Sequence, residues 1–251
     1  MNTVYFILFF GLGLLFGSFF NVVGLRLPQQ KSFTNDRSIC PNCSHILNWY
    51  ELIPIFSYIF QRGRCRHCKA KISFIYPVME LVTGFLFAHS YAQLGLSVEL
   101  ILALFLMSML VIVFVSDMKY MLIPNKVLLF FLPIFIVLRV LEPLEPWWSS
   151  IIGATLGFAI IAVIIIVSNG GMGAGDMKLF GVLGIVLGIK KVLLTFFLSC
   201  VIGAVIGLLM LWINRIHRKQ PIPFGPYIVV AAIVTYFYGD ILINWYVSTI
   251  I

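Results

Sequence analysis

The sequence predicts an all-α polytopic membrane protein of about eight transmembrane helices, with a small cytoplasmic zinc-binding loop domain between helices 1 and 2. Three observations carry this. The 251 residues are 61% hydrophobic and only 10% charged, with a mean hydropathy of +1.07, which excludes a water-soluble globule of this size. Several apolar runs approach the ~20 residues that a helix needs to cross a bilayer. The one sizeable polar stretch, residues 26–76, holds two Cys-x-x-Cys pairs. The formal net charge of +8 therefore points to topology and the lipid bilayer as partner, not to nucleic acid.

Helix 1 covers residues 4–23. No charged segment precedes it and no small-residue cleavage site follows, so it reads as a retained span and not a removable signal. Gly17, Ser18 and Asn21 near its end suit tight helix contacts, and Asn21 could also reach a substrate backbone. Residues 26–76 carry Arg26, Lys31, Arg37, Arg62, Arg64, Arg66, Lys69 and Lys71 against only Asp36 and Glu51. That bias puts the loop in the cytoplasm and the N-terminus outside. Cys40-Pro41-Asn42-Cys43 and Cys65-Arg66-His67-Cys68 suit two knuckles sharing one tetrahedral zinc ion. A thiol redox pair is the alternative, and a reducing cytoplasm disfavours disulfides. With four thiolates filling the shell, His45 and His67 are expected to be bystanders, and the metal to supply the loop's folding energy. The segment 48–58, rich in Trp, Tyr and Ile, is expected along the membrane interface.

Helix 2 runs over 77–94 and carries Glu80 one turn inside its cytoplasmic end. An acid at that depth is expensive, and it is either functional or a structural partner of a nearby Arg or amide. Helix 3 covers 98–116 and is followed by Asp117 at the cytoplasmic face, with Lys119 and Lys126 on that side. Helix 4, over 127–141, is short, and residues 142–148 form an acidic, aromatic outer loop. Helix 5 (151–167) leads into the only Gly-dense run, residues 170–178, which contains Gly173, Gly175, Asp176 and Lys178. Asp176 falls in the first turn of the next helix, where a negative charge is favoured. It is either an N-cap or half of a functional pair. Helix 6 (179–187), an outer turn at 188–191 and helix 7 (192–213) follow; Lys190 and Lys191 mildly break the charge rule. Arg215, His217, Arg218 and Lys219 turn the chain back inside, Pro221–Pro226 form a stiff re-entry, and helix 8 ends outside. If helix 6 is re-entrant, the count is seven.

Asp117 and Asp176, far apart in sequence, thus share one membrane face. Two carboxyls on separate elements can share a proton, because both cannot ionise cheaply at contact distance. One then activates water while the other protonates a carbonyl. Glycines before Asp176 would let a peptide backbone approach. The cysteine shell is closed and offers no open position for catalysis.

Taken together, these motifs identify the chain as a member of the type IV prepilin peptidase family, membrane aspartic proteases of the Gly-x-Gly-Asp type. It resembles in particular the form that processes competence pseudopilins. The resemblance rests on Gly17-Ser18-Phe19 with Asn21 and Arg26-Leu27-Pro28; on the two cysteine pairs; on Tyr76-Pro77-Val78-Met79-Glu80-Leu81; on Asp117 with Ile123-Pro124-Asn125; on Gly173-Ala174-Gly175-Asp176-Met177-Lys178; and on Pro223-Phe224-Gly225-Pro226. It implies catalytic Asp117 and Asp176 and metal ligands Cys40, Cys43, Cys65 and Cys68. Gly173, Gly175, Lys178, Asn21 and Glu80 are candidates around the substrate. It divides the chain into helix 1 (1–25), a zinc-binding domain (26–76) and a transmembrane peptidase domain (77–251). It also implies a location in the bacterial inner membrane and prepilin or pseudopilin substrates, cut at the cytoplasmic face after a glycine. Methylation of the new N-terminus from S-adenosylmethionine is implied as well, and Glu80 is the residue assigned to that half of the chemistry. An ion transporter and a membrane-anchored zinc module that binds nucleic acid or a partner are the rival readings. The chain lacks the matching broken-helix repeats expected of a transporter.

Overall fold

A computed structural model describes residues 2–31, 38–40, 42–168, 170–213 and 222–250. Asp36, Arg37, Pro41, Arg215, His217, Arg218, Lys219 and Pro221, all used in the sequence reading, lie outside the described residues. The described part is helical, with α1 (Thr3–Arg26), α2 (Phe56–Phe60), α3 (Ile75–Leu94), α4 (Val98–Tyr120), α5 (Asn125–Leu141), α6 (Ser149–Val167), α7 (Ala174–Trp212) and α8 (Gly225–Ile250). Among the described residues, β-structure is limited to two isolated bridges in the cysteine loop. Of these helices α1, α4, α6, α7 and α8 are long and apolar enough to cross a membrane. The chain is a multi-pass membrane protein, and many of its large apolar side chains, such as Ile7, Val140, Ile166, Phe197 and Trp245, face outward, as lipid requires.

The chain packs as two units, 1–115 and 116–251, with the boundary inside α4. In the first unit α1 lies against α3. Small residues make this contact: a Cβ on Gly17 would lie 2.9 Å from the Glu80 Cα, and one on Gly13 would lie 2.6 Å from the Thr83 carbonyl oxygen. Helices in lipid have no hydrophobic drive to associate and gain instead from such close backbone packing. Thr83, Ser90 and Ser108 return their hydroxyls to carbonyls one turn back, which satisfies these three groups within their own helices.

In the second unit α7 is central, with α5, α6 and α8 packed on it. It is two helices joined at Gly188, whose φ of 72° and ψ of −177° are non-helical. The expected outer turn is thus a break at a single residue, and glycine supplies the positive φ it needs. The Ser149 hydroxyl accepts the Ile189 N–H at 3.1 Å, capping the second half. Arg139 of α5 donates Nε and Nη2 to the Val186 carbonyl at 3.1 and 2.7 Å, which places a cation at the C-terminus of the first half, as its dipole favours. Lys191, which broke the charge rule, pairs with Asp240 at 2.7 Å. Among the described residues the expected helices appear as seven long helices of which α7 is double, and five of the seven are long and apolar enough to cross a membrane. Two boundaries differ in a way that matters. Helix 3 continues to Tyr120, so Asp117 lies inside it, and the helix carrying Asp176 starts at Ala174.

Candidate active site and metal centre

The cysteine loop is built from two equivalent knuckles. Ile39 bridges to Ile46 around the first pair, and Arg64 bridges to Lys71 around the second. In each, the first cysteine's N–H reaches a carbonyl five residues on and its carbonyl receives the N–H four residues on: Cys40 with His45 and Ser44, Cys65 with Ala70 and Lys69. Ser44 and Lys69 both take a positive φ, 56° and 61°, turning the chain so that both thiols of a pair point inward. The four Sγ atoms lie within 4.8 Å of one another; Cys40 and Cys68 are 3.8 Å apart, Cys43 and Cys65 4.0 Å. A tetrahedron with metal–sulfur bonds of about 2.3 Å has edges of about 3.8 Å, so the spacing fits one ion.

The local electrostatics agree with this. The Ala70 amide and the Asn42 side chain hold the Cys68 thiol down to about 6, and the amides of Asn42 and Cys43 lower Cys40. The His45 amide also pulls on Cys43, yet burial and the neighbouring Cys68, Cys40 and Cys65 thiols drive it up to about 12. Thiolates so crowded can all ionise only around a cation. His45 and His67 stack on each other with centroids 5.3 Å apart, outside the cluster. His45 approaches Glu51 at 3.7 Å.

The two aspartates lie at one end of the second unit. Asp117, 5% exposed, accepts the N–H of Gly225 at 2.8 Å, the first residue of α8. Asp176, 7% exposed, is the third residue of α7 and reaches back to the N–H of Gly173 at 3.0 Å, the N-terminal half of a capping box. The turn after Asp117 ties the two together. Ile123 packs against Gly175, where a Cβ would lie 3.0 Å from the Ile123 Cβ. Asn125 accepts from Lys178 at 3.0 Å, and Ser116 donates to the Leu122 carbonyl at 2.6 Å, fixing the turn. The carboxylates are close enough for Asp117 to act electrostatically on Asp176. Two helix starts, with their unpaired N–H groups, and two buried acids thus converge on one place. Gly173, Gly175 and Lys178 belong to this cluster.

Glu80 and Asn21 belong to the first unit. Glu80 accepts the Ile55 N–H at 2.7 Å and a bond from the Ser18 side chain. Asn21 donates to the Tyr76 carbonyl at 3.2 Å. Sequence reasoning did not single out three participants. Gly225 entered only as part of a late motif, Arg139 was not marked at all, and nothing marked Ile55 as the partner of Glu80.

The profile described as Bacterial Peptidase A24 N-terminal domain matches residues 12–94, and the profile of the Type IV leader peptidase family matches residues 104–208. The prepilin leader peptidase/N-methyltransferase of Bacillus subtilis (strain 168) is 44% identical over 236 residues, covering 94% of this chain and 95% of that protein. The protein of the same description from Aeromonas salmonicida (strain A449) is 33% identical over 278 residues, covering 99% and 96%. That from Aeromonas hydrophila is 32% identical over 274 residues, covering 98% and 94%. No solved structure matches the chain. With relatives this similar along nearly its whole length, and both domain profiles in order, the chain belongs to the type IV prepilin peptidase family.

Proposed function

We propose that the protein removes the basic leader of a prepilin or pseudopilin at the cytoplasmic face of the bacterial inner membrane and then methylates the new N-terminus. The observation that carries the peptidase reading is the placement of Asp117 and Asp176, both buried, within electrostatic reach, each on a helix-start amide. The pair shares one proton. The ionised carboxylate takes a proton from water, the protonated one donates to the scissile carbonyl, and the water oxygen attacks the carbonyl carbon. The proton then passes to the leaving amine. Gly173 and Gly175 leave room for the substrate backbone, and Lys178 holds the Asn125 turn that follows Asp117.

Zinc in the four-cysteine site is structural, since four thiolates leave no open position. S-adenosylmethionine supplies the methyl group when bound, and Glu80 and Asn21 serve that half of the chemistry. The organisation is helix 1 (1–25), zinc-binding domain (26–76) and transmembrane peptidase domain (77–251), with eight passes counting the halves of α7 separately.

One gel tests the peptidase and methyl-transfer readings: purified protein in lipid, a prepilin and labelled S-adenosylmethionine, read for leader loss and methyl incorporation. Asp117→Asn and Asp176→Asn should each lower cleavage by roughly 10³-fold while a pre-cleaved pilin is still labelled. Normal cleavage by either variant would refute the pairing.

A further inference from the structure

We propose that the turn of α3 around Glu80, together with Asn21 of α1, is a binding site for a primary ammonium group; this rests on the methyl-transfer reading above and gives that half of the chemistry a ligand contact. Asn21 is 1% exposed and its Oδ1 has no hydrogen-bond partner among the described residues. The amide cannot be turned to cure this. Its Nδ2 lies 3.2 Å from the Tyr76 carbonyl, which only accepts, so the nitrogen must face it and the oxygen must face away.

Tyr76 stands one turn before Glu80 on α3. Gly17, one turn before Asn21 on α1, sits against the Glu80 Cα. The Asn21 amide and the Glu80 carboxylate therefore occupy adjoining turns of one helix pair. Glu80 is 7% exposed and accepts from Ile55 and Ser18. No ion pair to it is present among the described residues.

Two donors face a carboxylate with about four acceptor sites, and the bare Asn21 oxygen adds one more. The cluster is a buried carboxyl group with a surplus of acceptors, which becomes a buried negative charge when Glu80 is ionised. What complements it is a compact cation with several N–H groups. A divalent metal would want more oxygen ligands than one carboxylate and one amide. Methylation of a pilin brings two primary amines to the enzyme: the N-terminus exposed by cleavage, and the amino-acid end of the methyl donor.

The test is a binding measurement with full-length protein in lipid nanodiscs. A fluorescent peptide with the mature pilin N-terminus is compared with its N-acetylated form. Separately, S-adenosylhomocysteine is compared with its deaminated analogue. Each affinity ratio is taken within one preparation, so a partly inactive variant lowers the signal and not the ratio. If the site takes the pilin terminus, the free-amine peptide binds about tenfold tighter than the acetylated one, and Glu80→Gln and Asn21→Leu each bring the ratio near unity. If it takes the methyl donor, the same pattern appears in the nucleoside pair instead. Should Glu80→Gln fail to fold, the Asn21→Leu ratios decide. The site is refuted if wild-type protein discriminates within neither pair, or if discrimination survives in the variants that fold. Wild-type protein that cuts and methylates yet shows no amine preference overturns this site alone; one that does neither overturns the function.

Discussion

The two packing units hold their buried carboxylates by the same kind of bond, a backbone N–H, but the backbones differ. In the second unit the donors are helix-start glycines in relaxed geometry; Gly173, for example, has φ −80° and ψ 145°. In the first unit the donor to Glu80 is Ile55, at φ 63° and ψ −54°, with the Phe56 N–H closing on the Pro54 carbonyl at 2.6 Å. That is a γ-turn of the strained, positive-φ kind, centred on a β-branched residue that resists it. The aspartates therefore sit on relaxed backbone, a frame that the proposed acid–base chemistry would need. Glu80 instead helps hold a loop in a conformation the loop would not choose. The four-cysteine cluster is the second device that holds this loop, and removing the zinc ion proposed for it should have the largest structural effect. A strong chelator, or Cys65→Ser, should abolish thiol protection and melt the knuckles, because the loop has too little apolar area to fold without the ion. Protection by hydrogen exchange should vanish over residues 38–71 and persist in α7. Equal loss in both regions would break the contrast between the units.

The frame around the aspartates can be tested one glycine at a time. A Cβ on Gly225 would lie 2.7 Å from Asp117 Oδ2 and 2.9 Å from its Cγ, so Gly225→Ala must displace the carboxylate itself. Loss of one fixed donor and a shift of this size should lower cleavage by roughly 10²-fold. At Gly173 the corresponding contact is 3.3 Å and φ suits any residue, so Gly173→Ala should cost only about threefold. If the two variants behaved alike, the amides would not be setting the geometry.

Arg139 extends the comparison to the far end of the helix that carries Asp176. It is 8% exposed in α5, and its bonds to the Val186 carbonyl fix where the first half of α7 stops. Arg139→Met should lower kcat about tenfold with little change in KM, since the variant shifts the aspartate and leaves the peptide contacts in place. Arg139→Lys should recover part of that loss. A change in KM alone would make Arg139 a substrate contact instead.

How much of this was legible in the sequence follows a physical pattern. Hydropathy runs gave the long helices, because a lipid solvent demands apolar length, and missed the five-residue α2. Cysteine spacing gave the four-cysteine cluster, because a knuckle is a local structure. The break at Gly188 was visible as a glycine before two lysines. The amide partners of Asp117 and Glu80 were hidden, because they are backbone N–H groups brought in from afar, whereas Gly173, three residues from Asp176, was within reach of a capping argument. Gly225 lies 108 positions from Asp117 and Ile55 lies 25 from Glu80, and an amide leaves no residue-type signature. Arg139 was hidden for a related reason: a helix-end arginine reads as snorkelling to the interface, and only packing shows that it turns inward to a carbonyl.

The smallest effect expected is at Ile55, and it bears most directly on the difference between the units. Positive φ costs a β-branched residue on the order of 1–3 kcal/mol, and glycine adopts it freely while adding unfolded-state entropy. Ile55→Gly should therefore raise the thermal midpoint by a few degrees, or leave it unchanged if lost apolar contacts offset the relief. The N–H that Glu80 receives is kept in either case, so any change in methyl transfer would come from a looser loop and not from a missing donor. Were the variant to unfold several degrees earlier, the turn would be held by its Ile side chain, and Glu80 would be an ordinary structural acceptor like those in the second unit.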